Sequence, residues 1–306
     1  MNLRKASILV AALLVTAATC SAQNPAPVPP GTVVERDLVY AQAGEKKLVL
    51  DLYRPERRLQ NLPVIVWVYG GAWRSRNRTP QAPKASWLAA HGYAVAVIDY
   101  RLSSEALFPA QINDCKAAVR WLRANAAKYG LDGSRIGAWG ESSGGHLVTL
   151  LGVTGGVADL EGGLGNADQS SRVQAVVDFF GPTDFLQMEA HALPGATLKH
   201  DPPGSPESLL VGGPIQENAA KAARANPIVY VTKEAPPFLI VHGEQDLSVP
   251  LHQSELLYAA MKTARVDVTF YKIAGAGHSG PPFYSEPMRA AVLAFFDQHL
   301  MAPPKP

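Results

Sequence analysis

Four solid apolar runs constrain this chain most: LPVIVWVYG (62–70), YAVAVIDY (93–100), VQAVVDFFG (173–181) and PPFLIVHG (236–243). A strand that is apolar at nearly every position is covered on both faces, as in a parallel sheet flanked by helices. The intervening sequence has the matching character. PKASWLAAHG reads as a helix ending at Gly92. In AQINDCKAAVRWLRANAAKYG, Ile112, Cys115, Val119, Leu122 and Ala126 share one face at helical spacing. RIGAW reads as a further strand, with a helix from about Ser143. ENAAKAARA, HQSELLYAAMK and SEPMRAAVLAFFDQHL read as helices, and VDVTFYKI as a strand. DLVYAQA and KLVLDLYRP form an opening hairpin. Alternation of this kind defines an α/β fold, a mainly parallel sheet with helices on both faces.

The ends of the chain read differently. MNLRK is basic, ASILVAALLVTAA is apolar, and TCSAQ offers small residues for cleavage, the three-part layout of a signal peptide over residues 1–22. The apolar run is shorter than the roughly 20 residues of a membrane span. The expectation is therefore a secreted or periplasmic protein with no stable membrane insertion. A lipid anchor on Cys20 is the rival, and AAT before that cysteine suits it poorly. Residues 23–34 read as a Pro-rich leader, and 35–302 as one domain. Without Arg4 and Lys5 the remaining 26 basic residues balance 26 acidic ones, so no nucleic-acid surface is indicated. Cys115 is then the single thiol, on a helix face that packs inward.

In parallel sheets of this type ligands gather beyond the carboxyl ends of the strands. After RIGAW comes GESSGGHL, where Gly140, Ser142 and Gly144 fit G-x-S-x-G at a strand-to-helix turn. Such a turn holds a serine hydroxyl above the sheet and needs small flanking residues. Ser143 fails the spacing, so Ser142 is the candidate nucleophile. A serine needs a base. Of eight histidines, His278 lies in a glycine-rich loop, AGAGHSG, directly after a strand. His146 rides the helix after the serine, and His91 and His299 lie on helices. His191 and His200 fall in an irregular stretch at a spacing that suits no common metal site. Asp246, after FLIVHGEQ, is the candidate acid, and the order serine, aspartate, histidine fits this type of turn. Asp184 in FFGPTDF is the second choice, with capping as its bland alternative. An oxyanion needs N–H donors. The Ser143 amide at a helix N-terminus is one, and the loop WVYGGAW, with Gly70, Gly71 and Ala72 just after a strand, is the source of the other. Trp73, Glu141 and Phe180 flank these loops as candidate substrate contacts.

With VYGGAW, DYRLS, FPAQINDCKAAVRWL, GESSGGHL, PPFLIVHGEQDLSVP and GHSG together, the chain over roughly residues 35–300 resembles an α/β-hydrolase. The group is that of feruloyl-esterase-like and acetylxylan-esterase-like enzymes, and it is similar to the hormone-sensitive-lipase type. The resemblance implies a serine esterase in which the amides of Gly71 and Ala72 join that of Ser143 in the oxyanion hole, with no metal or organic cofactor. The chain departs from it at Tyr69-Gly70-Gly71-Ala72, where the group often has His-Gly-Gly-Gly. Alanine keeps the backbone donor, and the tyrosine puts the support of the loop in question.

Two alternatives accompany this reading. An amidase such as an arylformamidase uses the same triad, and an ester and its matching anilide separate the two. A non-catalytic binding protein on this scaffold would not need all three side chains. The cap, about residues 185–214, is broken by Pro194, Gly195, Pro202, Pro203, Gly204 and Pro206. That suits small acyl or aryl esters, polysaccharide-linked ones included, better than long lipid chains.

Overall fold

The computed structural model describes residues 27–57, 60–196 and 198–301. The expected export signal over residues 1–22 and the possible anchor at Cys20 lie outside them. Eight strands form one sheet: β1 Thr32–Ala43, β2 Lys46–Pro55, β3 Leu62–Val68, β4 Ala94–Ile98, β5 Leu131–Glu141, β6 Ala175–Phe179, β7 Phe238–Gly243 and β8 Val268–Ile273. Their spatial order is β1-β2-β4-β3-β5-β6-β7-β8. The hairpin β1–β2 is antiparallel and joins β4 antiparallel, whereas β4, β3 and β5 to β8 run parallel. β1 begins at Thr32, inside the stretch that composition marks as leader. Proline ends at Pro30 there, and Thr32 already pairs with Pro55.

Alternate residues of the central strands feed two separate cores, as the period of two requires. Val64, Val66 and Val68 pack with Ile112, Cys115, Leu147 and Leu257 beneath the helices Ala110–Ala124, Ser143–Val153 and His252–Thr263. Ile65 and Trp67 face the other way, onto Leu88, Val292 and Phe296. Helices therefore cover both faces, as expected. Trp67 and Trp139 from adjacent strands meet edge to face, with centroids 4.9 Å apart. Burial pushes the Cys115 thiol well up, so it stays a packing group. No helix among the described residues is long and apolar enough to cross a membrane.

The parallel strands β3, β5, β6, β7 and β8 all end at the same side of the sheet. Their C-terminal loops carry Gly70–Trp73, Ser142, Phe180, Asp246 and His278 respectively. The fold thus gathers at one edge residues spread over more than 200 positions of sequence.

Candidate active site

Ser142 follows the last residue of β5 and precedes the helix Ser143–Val153, with φ 53° and ψ −123°. The turn is sharp enough that only glycine fits around it. A Cβ on Gly140 would overlap the Gly144 carbonyl, and one on Gly144 would overlap the carbonyls of Val68 and Tyr69. Backbone bonds fix the strained residue: its amide donates to the Phe179 carbonyl at 2.9 Å, and its carbonyl accepts from His146 at 3.0 Å.

The Ser142 hydroxyl lies 3.0 Å from Nε2 of His278, and Nδ1 of that ring lies 2.6 Å from Oδ2 of Asp246. The other oxygen of Asp246 accepts the amides of Ser248 and Val249 at 2.8 and 2.9 Å. His242 contributes a fourth partner, its Nε2 3.2 Å from Oδ2. Burial alone would push the Asp246 carboxyl up. Hydrogen bonds from His242 and His278 outweigh it and hold the group well below the usual carboxylate range. The His278 loop reaches this position because Gly243 has no side chain: a Cβ there would overlap the Ala276 and Gly277 carbonyls.

The structure brings Ser142, His278 and Asp246 into one hydrogen-bonded line and leaves Asp184 out of it. Asp184 caps the short turn Phe185–Gln187, accepting from the Leu186 amide at 3.2 Å and the Gln187 side chain at 2.6 Å. His146 is buried beneath the serine, bonded to the Ala225 carbonyl at 2.7 Å, and burial lowers its pKa to about 4.

A cleft of about 470 Å³ opens over the serine. Gly71, Ala72, Ser143, Trp73, Glu141 and Phe180 all line it, together with Lys84, Val249 and His278. Nine non-glycine residues among those described have positive φ. Five of them, Ala72, Trp73, Ser142, Phe180 and Ser279, line this cleft, so backbone strain is concentrated where function is expected. The Gly70–Trp73 loop abuts the serine turn: a Cβ on Gly70 would stand 3.2 Å from that of Ser142. Its carbonyls are committed elsewhere, Gly70 to the side chain of Asn77 at 3.1 Å and Gly71 to the amides of Arg74 and Ser75 at 2.9 and 3.0 Å. Tyr69 supplies support in its own way. Its ring stacks on Tyr100 at 4.7 Å, and its hydroxyl donates to Asp99 at 3.2 Å. Asp99 is held in turn by Arg76 at 3.1 Å.

Of the three expected substrate contacts, Phe180 packs edge to face on the His278 ring at 4.7 Å, and Trp73 packs on His146 and Phe185. Glu141 differs from expectation. One oxygen is bound by Lys84 and the other by the Tyr284 hydroxyl, so it offers no free carboxylate and ties the elbow to neighbouring segments. Lys84 and Tyr284 come from 57 and 143 positions away, and nothing local in the sequence announces them. His242 was equally hidden, since it reads as the end of an apolar strand. Among the described residues, no group of three or more His, Cys, Asp or Glu is disposed to hold a metal ion.

Sheet order, strand-end loops and the strained serine turn together define an α/β-hydrolase. Within that class the chain belongs to the BD-FAE family, which matches residues 50–261. It is similar to the esterase LipQ of Mycobacterium tuberculosis, 34% identical over 251 residues, which are 79% of this chain and 56% of LipQ. The chain thus spans about half the length of the curated relatives it matches. Among solved structures, a truncated carbohydrate esterase from gut microbiota has TM-score 0.83 at 35% identity, covering 91% of this chain and all of that one. A bifunctional GH43-CE protein of Bacteroides eggerthii has TM-score 0.78 at 38% identity, over 87% of this chain and 38% of that one.

Proposed function

We propose that the protein is a serine esterase that hydrolyses short acyl or aryl esters, carbohydrate esters in particular. The observation that carries the reading is the line Ser142–His278–Asp246 at 3.0 and 2.6 Å, standing in a cleft on a strained elbow. In this reading His278 takes the Ser142 proton as the oxygen attacks the ester carbonyl. Asp246, ionised and held by two amides, orients the imidazole and stabilises the imidazolium. The Ser143 amide opens a helix and so has no intrahelical partner. With the amides of Gly71 and Ala72 it receives the negative charge of the tetrahedral intermediate. His278 returns its proton to the leaving alcohol. Water then attacks the acyl-serine with His278 again as base, releasing the acid and restoring the hydroxyl.

The carbohydrate preference is supported by similarity to a carbohydrate esterase over 91% of the chain. The small acyl group is supported by the cap. Of its large apolar side chains, Phe185, Met188 and Leu210 are fully buried in the core, and only Leu198 with Pro206 turns an apolar surface to the cleft. The same reading takes residues 1–22 as an export signal, and the mature N-terminus of the exported protein, sequenced, tests it.

The test is a hydrolysis panel of nitrophenyl esters, methyl ferulate, acetylated xylan and a nitroanilide matched to the best ester. Turnover of esters over the anilide is the expected outcome. Turnover of the anilide alone would assign the site to amides.

A further inference from the structure

The cap contributes to the cleft one charged group that the hydrolytic steps do not use. Glu207 stands in the short helix Pro206–Val211 and forms a wall of the cleft with Leu198 and Pro206. It is only 3% exposed. Its Oε1 lies 3.2 Å from Nδ1 of His200, itself buried. Its Oε2 meets no hydrogen-bond donor among the described residues. A buried carboxylate oxygen left without a donor is costly, and the cost falls away when a ligand brings one.

Beyond the contact of Oε1 with His200, the other structural tasks open to a buried acid here are already filled. Ser205 caps the helix, its hydroxyl accepting from the Ser208 amide at 3.1 Å. Glu189 ties down the neighbouring segment, taking the His200 amide at 2.7 Å and Lys199 at 3.0 Å. Lys84, which lines the cleft, is held by Glu141. The terminal torsion of a glutamate is broad, so the carboxylate as a whole can turn to present an oxygen to the cleft without moving the helix.

We propose that Glu207 accepts a hydrogen bond from a hydroxyl of the bound ester and so selects substrates with a free hydroxyl near the scissile bond. The inference rests on the esterase reading above. A carboxylate is an acceptor only. A substrate without the hydroxyl leaves it bare, and sites of that kind discriminate strongly.

Two matched pairs test this through kcat/KM. Methyl 2-O-acetyl-xyloside and its 3,4-dideoxy analogue differ in hydroxyls on the alcohol side. Methyl coumarate and methyl cinnamate differ by one hydroxyl on the acyl side. The wild-type enzyme is expected to favour the hydroxylated member of one pair by about tenfold or more, and that pair identifies the side Glu207 reads. Glu207→Ala is expected to bring that ratio to within about twofold of unity, with Glu207→Gln, which keeps one acceptor, in between. An unchanged ratio, or a loss by the same factor on both members, overturns the proposal and leaves Glu207 a structural acid. If Glu207→Ala does not fold, the ratio in Glu207→Gln decides alone. Turnover of 4-nitrophenyl acetate without any hydroxyl preference in either pair defeats the role of Glu207 only. No turnover of any ester defeats the esterase reading and this proposal with it.

Discussion

At the scale of single residues, the two buried aspartates near the serine have opposite electrostatics. Asp246 is surrounded by donors, and its charge is what the imidazole needs. Asp246→Asn is expected to lower kcat by about 10³ to 10⁴, because the wrong tautomer of His278 is then favoured. Asp184→Asn, which touches only a cap, is expected to change kcat by less than about threefold, as substitutions away from the chemistry do. Steady-state kinetics of both variants checks the assignment, and a severe loss in Asp184→Asn would reverse it. Asp178 is the contrasting case. It is buried near the end of β6, its Oδ1 accepts the Gly181 amide at 3.0 Å, and burial raises its pKa to about 7. A folded-state pKa above the unfolded value gives stability that is complete below about pH 4 and is lost as pH rises through about 7. Asp178→Asn escapes that loss. Its Tm relative to wild type is therefore expected to rise between pH 4 and pH 8, and a flat difference would contradict the account. At this scale the sequence was partly legible. Ser142, Asp246 and His278 stand in loops just after strands, where motif and chain order find them. His242 and the Lys84–Glu141–Tyr284 clamp are long-range contacts of ordinary-looking residues, and Glu141 read alone looks like a substrate contact.

At the scale of elements, the serine turn is tight because β5, the helix Ser143–Val153 and the loop after β3 approach at backbone distance. Gly144→Ala pushes a methyl group into the Val68 and Tyr69 carbonyls, which are main-chain atoms and cannot swing away. A cost of roughly 1–3 kcal/mol in stability is expected, with an activity loss of about 10²-fold from displacement of the serine. Gly204→Ala in the cap, with nothing within 4 Å of the added atom, is expected to stay within about 0.5 kcal/mol of wild type. Thermal melts and kcat on the two variants make the comparison, and equal effects would remove close packing as the reason for Gly144. The parallel strands β3, β4, β6 and β7 were legible because they are apolar at nearly every position. The start of β5 was not. The sequence places the strand at RIGAW, whereas β5 already begins at Leu131, which pairs with Leu62 across a register shift. That pairing is a tertiary fact with no local signature.

At the scale of the whole molecule, the proposed preference for small acyl groups rests on the expected cap, about residues 185–214, whose Phe185, Met188 and Leu210 are buried. Phe185 is buried and packs on Trp73 at 5.5 Å, so its ring is turned to the core. Acetyl to butyryl nitrophenyl esters are expected to give the highest kcat/KM, the ratio in which discrimination is expressed. A maximum at dodecanoyl or beyond would contradict this reading of the cap. The central claim is that Ser142 is the nucleophile and its neighbour is not. The most direct measurement is intact-protein and peptide mass spectrometry after incubation with a fluorophosphonate. A single adduct on Ser142, retained in Ser143→Ala and absent in Ser142→Ala, is the predicted result. An adduct on Ser143, or none on the wild-type protein, would contradict it.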